Sequence, residues 1–222
     1  MWHAELHARR LARDARLLGF GDVDPGEVLR VLAELAAATR GGGDAKLRVE
    51  VRREAGALGV VGAREPLDAD ASLWRAISAP RSHPGASDTS RAKTIARAFY
   101  DEALAGARAD GADEALLFDG AGFLVEGART NVVVERADGA LLTPPLARGA
   151  QAGVARELLL SRVPELREAD VAAAELASAR EILATNAVRG VRPIVALDGR
   201  AVAEGRAGPW ADRLARAFLR GC

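Results

Sequence analysis

The sequence predicts an α+β fold, because its strands and helices arrive in blocks and lack the strict strand–helix alternation of a parallel α/β sheet. Two further observations agree. Asp119-Gly120, Asp138-Gly139 and Asp198-Gly199 each separate short apolar runs, as tight hairpin turns do. Leu47, Val49 and Val51 alternate with Arg48, Glu50 and Arg52, the period of a half-buried strand.

The elements follow in order. Ala4–Leu18 and Pro25–Thr39 read as helices. Asp24-Pro25 supplies the second with an N-cap and a proline at its first position, and Gly41-Gly42-Gly43 ends it. The alternating strand at Leu47–Arg52 has a partner at Leu58–Val61, and a further strand is expected over Ser72–Ala79. Residues 79–90 hold Pro80, Pro84, Gly85 and four serines or threonines without periodicity, which marks a boundary. A helix is expected over Thr94–Gly106, with Lys93 opening its run. A meander follows at Glu114–Phe118, Phe123–Glu126, Thr130–Arg136 and Ala140–Thr143. Helices are then expected at Val154–Ser161 and Val171–Arg180, strands at Glu181–Thr185 and Pro193–Leu197, and a closing helix at Pro209–Leu219. This organisation gives a small N-terminal domain over 1–80, a linker over 81–90 and a larger domain over 91–222. No internal repeat is present.

Composition excludes several classes. The formal charge is +0 and the arginines are interspersed with acids, so no field favours nucleic acid. No apolar run approaches the ~20 residues of a membrane helix. Met1–Arg16 is arginine-rich but carries Glu5 and Asp14, which fits a surface helix better than a transit peptide. The single cysteine, Cys222, is the last residue and makes neither an intrachain disulfide nor a metal cluster. His3, His7 and His83 have no ligand spacing, so no metal site is expected. Trp2, Trp74 and Trp210 read as packing residues. A soluble cytoplasmic protein is the expectation.

Lysine carries the chemical signal. All but two of the 31 basic side chains are arginine; the exceptions are Lys46, read as an edge-strand residue, and Lys93. Arginine does not lose its proton in a protein and so cannot form a Schiff base, whereas a lysine can. Downstream, Glu126-Gly127-Ala128-Arg129-Thr130-Asn131 turns a carboxylate into a β-branched strand. Pyridoxal phosphate needs both kinds of group: a lysine to hold it and shuttle protons, and a carboxylate facing its pyridine nitrogen.

In this order the motifs resemble the class IV, fold-type IV family of pyridoxal-phosphate enzymes, which includes branched-chain and D-amino-acid aminotransferases and aminodeoxychorismate lyases. His7-Ala8-Arg9-Arg10-Leu11 resembles the family's His-x-x-Arg-Leu helix, which makes Arg10 a phosphate ligand. Lys93 matches the Schiff-base lysine, and Glu126 with Asn131 matches the pyridine-nitrogen motif. Thr143-Pro144-Pro145 with Gly153-Val154-Ala155-Arg156 resembles the segment whose helix N-terminus cradles the phosphate, implicating the amides of Val154 and Ala155. Thr185-Asn186-Ala187 resembles the late loop that closes the site. The likeness runs from Met1 to about Leu197.

The resemblance implies a two-domain enzyme with a small α/β domain, a large domain built on a mainly antiparallel sheet or barrel, pyridoxal 5'-phosphate, a small-molecule substrate and a homodimer. With one tyrosine, Tyr100, and an arginine-bearing strand at 46–53, the chain looks closest to the lyase branch. That branch converts 4-amino-4-deoxychorismate to 4-aminobenzoate and pyruvate, toward folate; Arg48 or Arg53 would bind substrate carboxylate. An aminotransferase of branched-chain or D-amino-acid type, or a non-catalytic relative, are the alternatives. Departures from the family are the leading strands expected before the His7 helix, so that the small domain reads as truncated or the start as misassigned, and alanines at 155 and 187 where relatives place hydroxyls. Each lost hydroxyl contact costs about 1.5–3 kcal/mol of cofactor affinity.

Overall fold

The computed structural model describes residues 3–38 and 44–220, so Trp2, the Gly41–Gly43 helix stop and Cys222 lie outside the described residues. The chain divides into two compact units between Asp70 and Ala71.

The first unit holds helices α1 (Ala4–Leu17) and α2 (Pro25–Ala37) and an antiparallel ribbon of β1 (Ala45–Glu54) and β2 (Ala57–Pro66). Asp24 caps α2 by accepting the Gly26 amide, with Pro25 at the first helical position. Ala55 and Gly56, both at positive φ, make the two-residue turn of the ribbon. The alternation read in β1 has its physical counterpart: Leu47, Val49 and Val51, with Leu58 and Val60, cover Ala8, Ala12, Ala15, Val28 and Leu32 of the helices. The opposite face carries Arg48, Glu50 and Arg52.

The second unit is built on one curled sheet. Its strands are β3 (Trp74–Ser78), β4 (Glu114–Phe118), β5 (Leu124–Gly127), β6 (Asn131–Glu135), β7 (Leu141–Thr143), β8 (Leu166–Glu168), β9 (Glu181–Asn186), β10 (Gly190–Leu197) and β11 (Arg200–Ala201). The order is β5-β4-β3-β10-β9-β6-β7-β8, with β11 beside β10. Pairs β3–β10, β3–β4 and β7–β8 are parallel and the others antiparallel. The two ends of this order meet. The Leu124 amide donates to the Val171 carbonyl and the Ala173 amide to that of Gly122, flanking a bridge between Phe123 and Ala172. Trp74, Leu116, Leu124, Val132, Val134, Ile182 and Ile194 fill the interior. The α+β class and the mainly antiparallel sheet or barrel are therefore what the sequence predicts.

Helices α3 (Asp88–Arg91), α4 (Ala98–Ala109), α5 (Val154–Arg162) and α6 (Pro209–Leu219) surround the sheet. Three expectations are corrected. The strand foreseen at Ser72–Ala79 is β3, a member of the large sheet, so the division into units falls before it and not at the linker expected over 81–90. The run after Lys93 is not helical until Ala98. The Ala92 carbonyl, which a helix would give to the amide four residues on, accepts instead from Gln151 Nε2 (3.3 Å), and Arg97 reaches across to the Ala128 carbonyl (2.6 Å). The helix foreseen at Val171–Arg180 is a 3-10 turn over Ala173–Ser178, because Ala173 is tied by its amide to Gly122 and Arg180 by its amide to Glu135.

Candidate active site

Glu126 ends β5 and Asn131 begins β6, and the turn between them is rigid. Gly127 N–H donates to the Thr130 carbonyl (2.8 Å) and Ala128 N–H to that of Ala115 (2.9 Å). A Cβ on Gly127 would lie 2.3 Å from Thr130 Oγ1, so only glycine fits. That hydroxyl donates to Glu114 Oε2 (2.9 Å), a carboxylate with no solvent exposure whose pKa burial pushes up. Glu114 thus braces the turn from beneath and presents Glu126 and Asn131, both buried, on the other side.

Gln151 joins these residues to one another. Its amide donates to Glu126 Oε2 (2.9 Å), its carbonyl accepts from Asn131 Nδ2 (2.9 Å), and its side chain donates to the Ala92 carbonyl next to Lys93. Lys93 lies on the loop between α3 and α4 with its side chain exposed. Its charge, with that of Arg97, favours the ionised form of Glu126. Burial works harder in the opposite direction and pushes the Glu126 carboxyl up to about 7, against the Gln151 amide and the Tyr100 hydroxyl that stabilise the anion. A carboxyl poised near neutrality inside an apolar wall is the arrangement that functional carboxylates require. Tyr100 and His83 complete its surroundings: His83 Nε2 lies 2.9 Å from the tyrosine oxygen and 3.9 Å from Glu126 Oε1.

The N-terminus of α5 faces the same cluster. Gly153 precedes it with no side-chain cap, and the first amide to find an intrahelical carbonyl is that of Glu157, bonded to Gly153 (3.0 Å). A Cβ on Gly153 would fall 2.2 Å from Asn131 Oδ1, so a glycine here lets the helix start against the asparagine. Thr185 pairs with Asn131 across β6 and β9, which places both side chains on one face. Its hydroxyl is buried and has no protein hydrogen-bond partner. A buried hydroxyl without a partner costs free energy unless something satisfies it. Such open amides beside an unsatisfied hydroxyl and a near-neutral buried carboxyl fit a ligand that is anionic at one end and basic at the other. Pyridoxal phosphate is such a molecule.

The other sequence-predicted residues have these local contacts. Asn186 Nδ2 donates to the Arg129 carbonyl (3.2 Å), and its Oδ1 accepts from Val188 and Arg189 amides. It therefore shapes the β9–β10 turn that contains Ala187. Val154 and Ala155 are buried at the α5 start, and Arg156 donates to the Pro144 carbonyl (2.9 Å) and pairs with Glu168. Arg10, Arg48 and Arg53 belong to the first unit, each with a contact inside it. Arg10 approaches Asp14 (3.8 Å), Arg48 pairs with Glu50 and Glu65 (3.0 and 3.1 Å), and Arg53 donates to the Phe20 carbonyl (2.5 Å). Sequence reasoning missed Gln151 and set His83 aside. Gln151 acts mainly through its backbone, which side-chain type does not report; His83 sits in a segment that reads as linker.

Comparison with known proteins gives the same picture. The family model for amino-transferase class IV matches residues 1–197. The branched-chain-amino-acid aminotransferase of Escherichia coli K12 is 31% identical over 171 residues, 73% of this chain and 52% of that protein. This chain thus spans about half the length of the curated relatives it matches. A solved branched-chain aminotransferase from Thermoproteus uzoniensis with norvaline superposes with a TM-score of 0.84 at 25% identity, over 99% of this chain and 78% of that one. The pyridoxal-phosphate-bound form of a hypothetical aminotransferase from Mycobacterium tuberculosis shares the fold, with a TM-score of 0.86 at 22% identity over 98% and 82%. The match over most of its length, together with a site suited to the family's cofactor, leads to one conclusion: this chain belongs to the class IV aminotransferases.

Proposed function

We propose that this protein carries out pyridoxal-phosphate-dependent amino-group transfer, with branched-chain amino acids the first donors to test. The observation that carries the reading is Glu126: a carboxyl 4% exposed, poised near pH 7, and fixed by Gln151 to both Asn131 and the Lys93 loop. The choice of donor follows the curated relatives, which are named for branched-chain amino acids. The lyase reading rested on the single tyrosine, Tyr100, and on the arginines of the 46–53 strand, where Arg48 pairs with Glu50 and Glu65 and Arg53 donates to the Phe20 carbonyl. Transfer is preferred to pyruvate release because the curated relatives are named as aminotransferases.

Bound pyridoxal phosphate supplies an aldehyde that joins to amines and a ring that takes up electron density from the substrate carbon. In this reading Lys93 would hold the cofactor, and its Nζ would be the base that takes a proton from the substrate α-carbon. Glu126 would hold a proton at the cofactor's ring nitrogen. The α5 amides and the Thr185 hydroxyl would bind its phosphate. The apolar strands around Glu126 keep water from it, which strengthens each of these contacts. A homodimer is part of the same proposal, and sedimentation of the purified chain measures it.

The test is a visible spectrum of the protein with added pyridoxal phosphate beside Lys93→Ala, then borohydride reduction and peptide mapping. Attachment at Lys93 alone supports the reading, and a cofactor bound with equal strength and spectrum by Lys93→Ala overturns it. With attachment established, glutamate formed from 2-oxoglutarate and leucine supports transfer; pyruvate released from 4-amino-4-deoxychorismate without such transfer restores the lyase.

A further inference from the structure

His83, in the segment that the sequence presents as a linker, places Nε2 2.9 Å from the Tyr100 oxygen and 3.9 Å from Glu126 Oε1. We propose that His83 and Tyr100 are positioning residues forming a one-way relay, His83 Nε2–H to Tyr100 O–H to Glu126, that holds the carboxylate as an acceptor. Its bearing on catalysis rests on the reading of Glu126 as the partner of the cofactor's ring nitrogen. The relay itself does not.

Direction is set at the far end. The Gly85 amide donates to His83 Nδ1 (3.1 Å), so that nitrogen carries no proton. His83 is 3% exposed, and burial pushes its pKa down, so the neutral ring keeps its single proton on Nε2. Nε2 lies 2.9 Å from the Tyr100 oxygen, which must therefore accept. Tyr100 is left with its own proton to give. Burial and the neighbouring carboxylate push the phenol well above its ordinary pKa, so it stays protonated, and Glu126 is the acceptor it faces. Glu126 Oε2 takes the Gln151 amide. Glu126 thus has two neighbouring donors, the Gln151 amide and the Tyr100 hydroxyl.

The packing keeps this order in place. His83 meets the edges of Phe99 and Tyr100, with ring centroids 5.9 Å away in each case. Gly149, at φ +105°, passes so close that a Cβ there would lie 2.8 Å from His83 Cε1 and 2.7 Å from the Gly85 backbone. The ring consequently has little room to flip. The charged groups facing the chain are few. Asp119, in the turn after β4, favours a protonated His83 but is itself held by Arg148 (2.8 Å). Arg97, which lies over the Tyr100 ring, and Lys93 favour ionised Glu126. A protonated His83 would have to surrender the Gly85 bond, since an imidazolium has no acceptor nitrogen.

The experiment uses the full 222-residue chain without cofactor. Histidine nitrogen NMR at pH 7 should find Nδ1 bare and Nε2 protonated on His83; the opposite tautomer or a cationic ring would overturn the relay. Carboxyl-carbon NMR of glutamate-labelled protein, with Glu126→Gln to assign the resonance, should show Glu126 titrating higher in Tyr100→Phe by roughly one to two pKa units, the loss of one hydrogen bond to a charged group. His83→Gln, whose amide can donate from the same place, should stay near wild type while His83→Leu moves in the direction of Tyr100→Phe. An unchanged Glu126 titration in folded Tyr100→Phe would sink the proposal, and the tautomer measurement on wild type decides it if that variant fails to fold. Absence of Lys93-dependent cofactor binding, by contrast, would remove the enzyme reading and leave these measurements as they stand.

Discussion

Two helices of the second unit begin in opposite ways. At α6 the protein supplies its own anion: Glu181 accepts the amides of Trp210 (2.8 Å) and Ala211 (3.2 Å), and a Cβ on Gly208 would lie 2.3 Å from its carboxyl carbon. At α5 a glycine again opens the way, but the nearby glutamate turns aside. Glu126 takes the Gln151 amide two residues before Gly153 and leaves the helix start without a side-chain cap. Both helices end up with a buried glutamate nearby, and both glutamates have their pKa raised by burial. The difference teaches that the same local ingredients build a closed joint or an open receptor according to where one carboxylate spends its acceptors.

The largest effect expected from breaking this comparison is on stability against pH. Glu126 binds its proton more tightly in the folded chain than in the unfolded one, since its pKa of about 7 lies above the ordinary value. Its contribution is therefore fully present below the unfolded pKa of about 4.3 and lost as pH rises to about 7, an order-of-magnitude change of 3 kcal/mol. Glu126→Gln should flatten part of that fall in urea-melt midpoints between pH 4 and 8. Glu114 and Glu181 shift in the same direction, so some slope should remain. A slope identical to wild type would mean that Glu126 is not buried as described.

Next comes Glu181→Ala, which uncaps α6. It should cost about 1–2 kcal/mol in chemical denaturation and leave the affinity for pyridoxal phosphate unchanged. Gly153→Ala should do the reverse. Its methyl group displaces the Asn131 amide and crowds the α5 start, weakening cofactor affinity about tenfold, roughly 1.4 kcal/mol, in a fluorescence titration. If Glu181→Ala weakened the cofactor as much as Gly153→Ala, the distinction between the two helix starts would fail. The smallest effect belongs to Arg48→Ala, on the exposed face of β1. Its solvated pairs with Glu50 and Glu65 are each worth below about 1 kcal/mol, and neither folding nor amino-group transfer should change measurably.

The legible parts of the fold are those whose cause is local. Glu114–Phe118 is an apolar run between turn residues and is β4 to the residue. Pro209–Leu219 has its proline at the first position and an apolar stripe at Ala211, Leu214, Ala217 and Phe218, and it is α6. The extent of α4 was not legible, because the contacts that hold residues 92–97 out of a helix come from Gln151 and Ala128, distant in the chain. The same distinction runs through the site. Lys93, Glu126 and Asn131 carry their chemistry in their side chains and stand in a recognisable order. Gln151 contributes an amide and a carbonyl, which every residue but proline possesses, so nothing in its identity announces the role. His83 matters only through Gly85 on one side and Tyr100 on the other, a meeting that folding alone brings about.

The joined ends of the large sheet have a consequence for motion. Strand β5, which carries Glu126, is bonded to β4 along one edge and, at its first residues, to the 171–173 segment along the other. A strand held on both sides cannot peel away singly, so its amides should exchange with deuterium at the slow rate of global opening, not that of a fraying edge. The Lys93 loop is tied instead through side chains, Gln151 to the Ala92 carbonyl and Arg97 to that of Ala128. Deuterium should therefore reach the amides of residues 92–97 before those of β5, a difference in exchange that follows from the closure of the sheet.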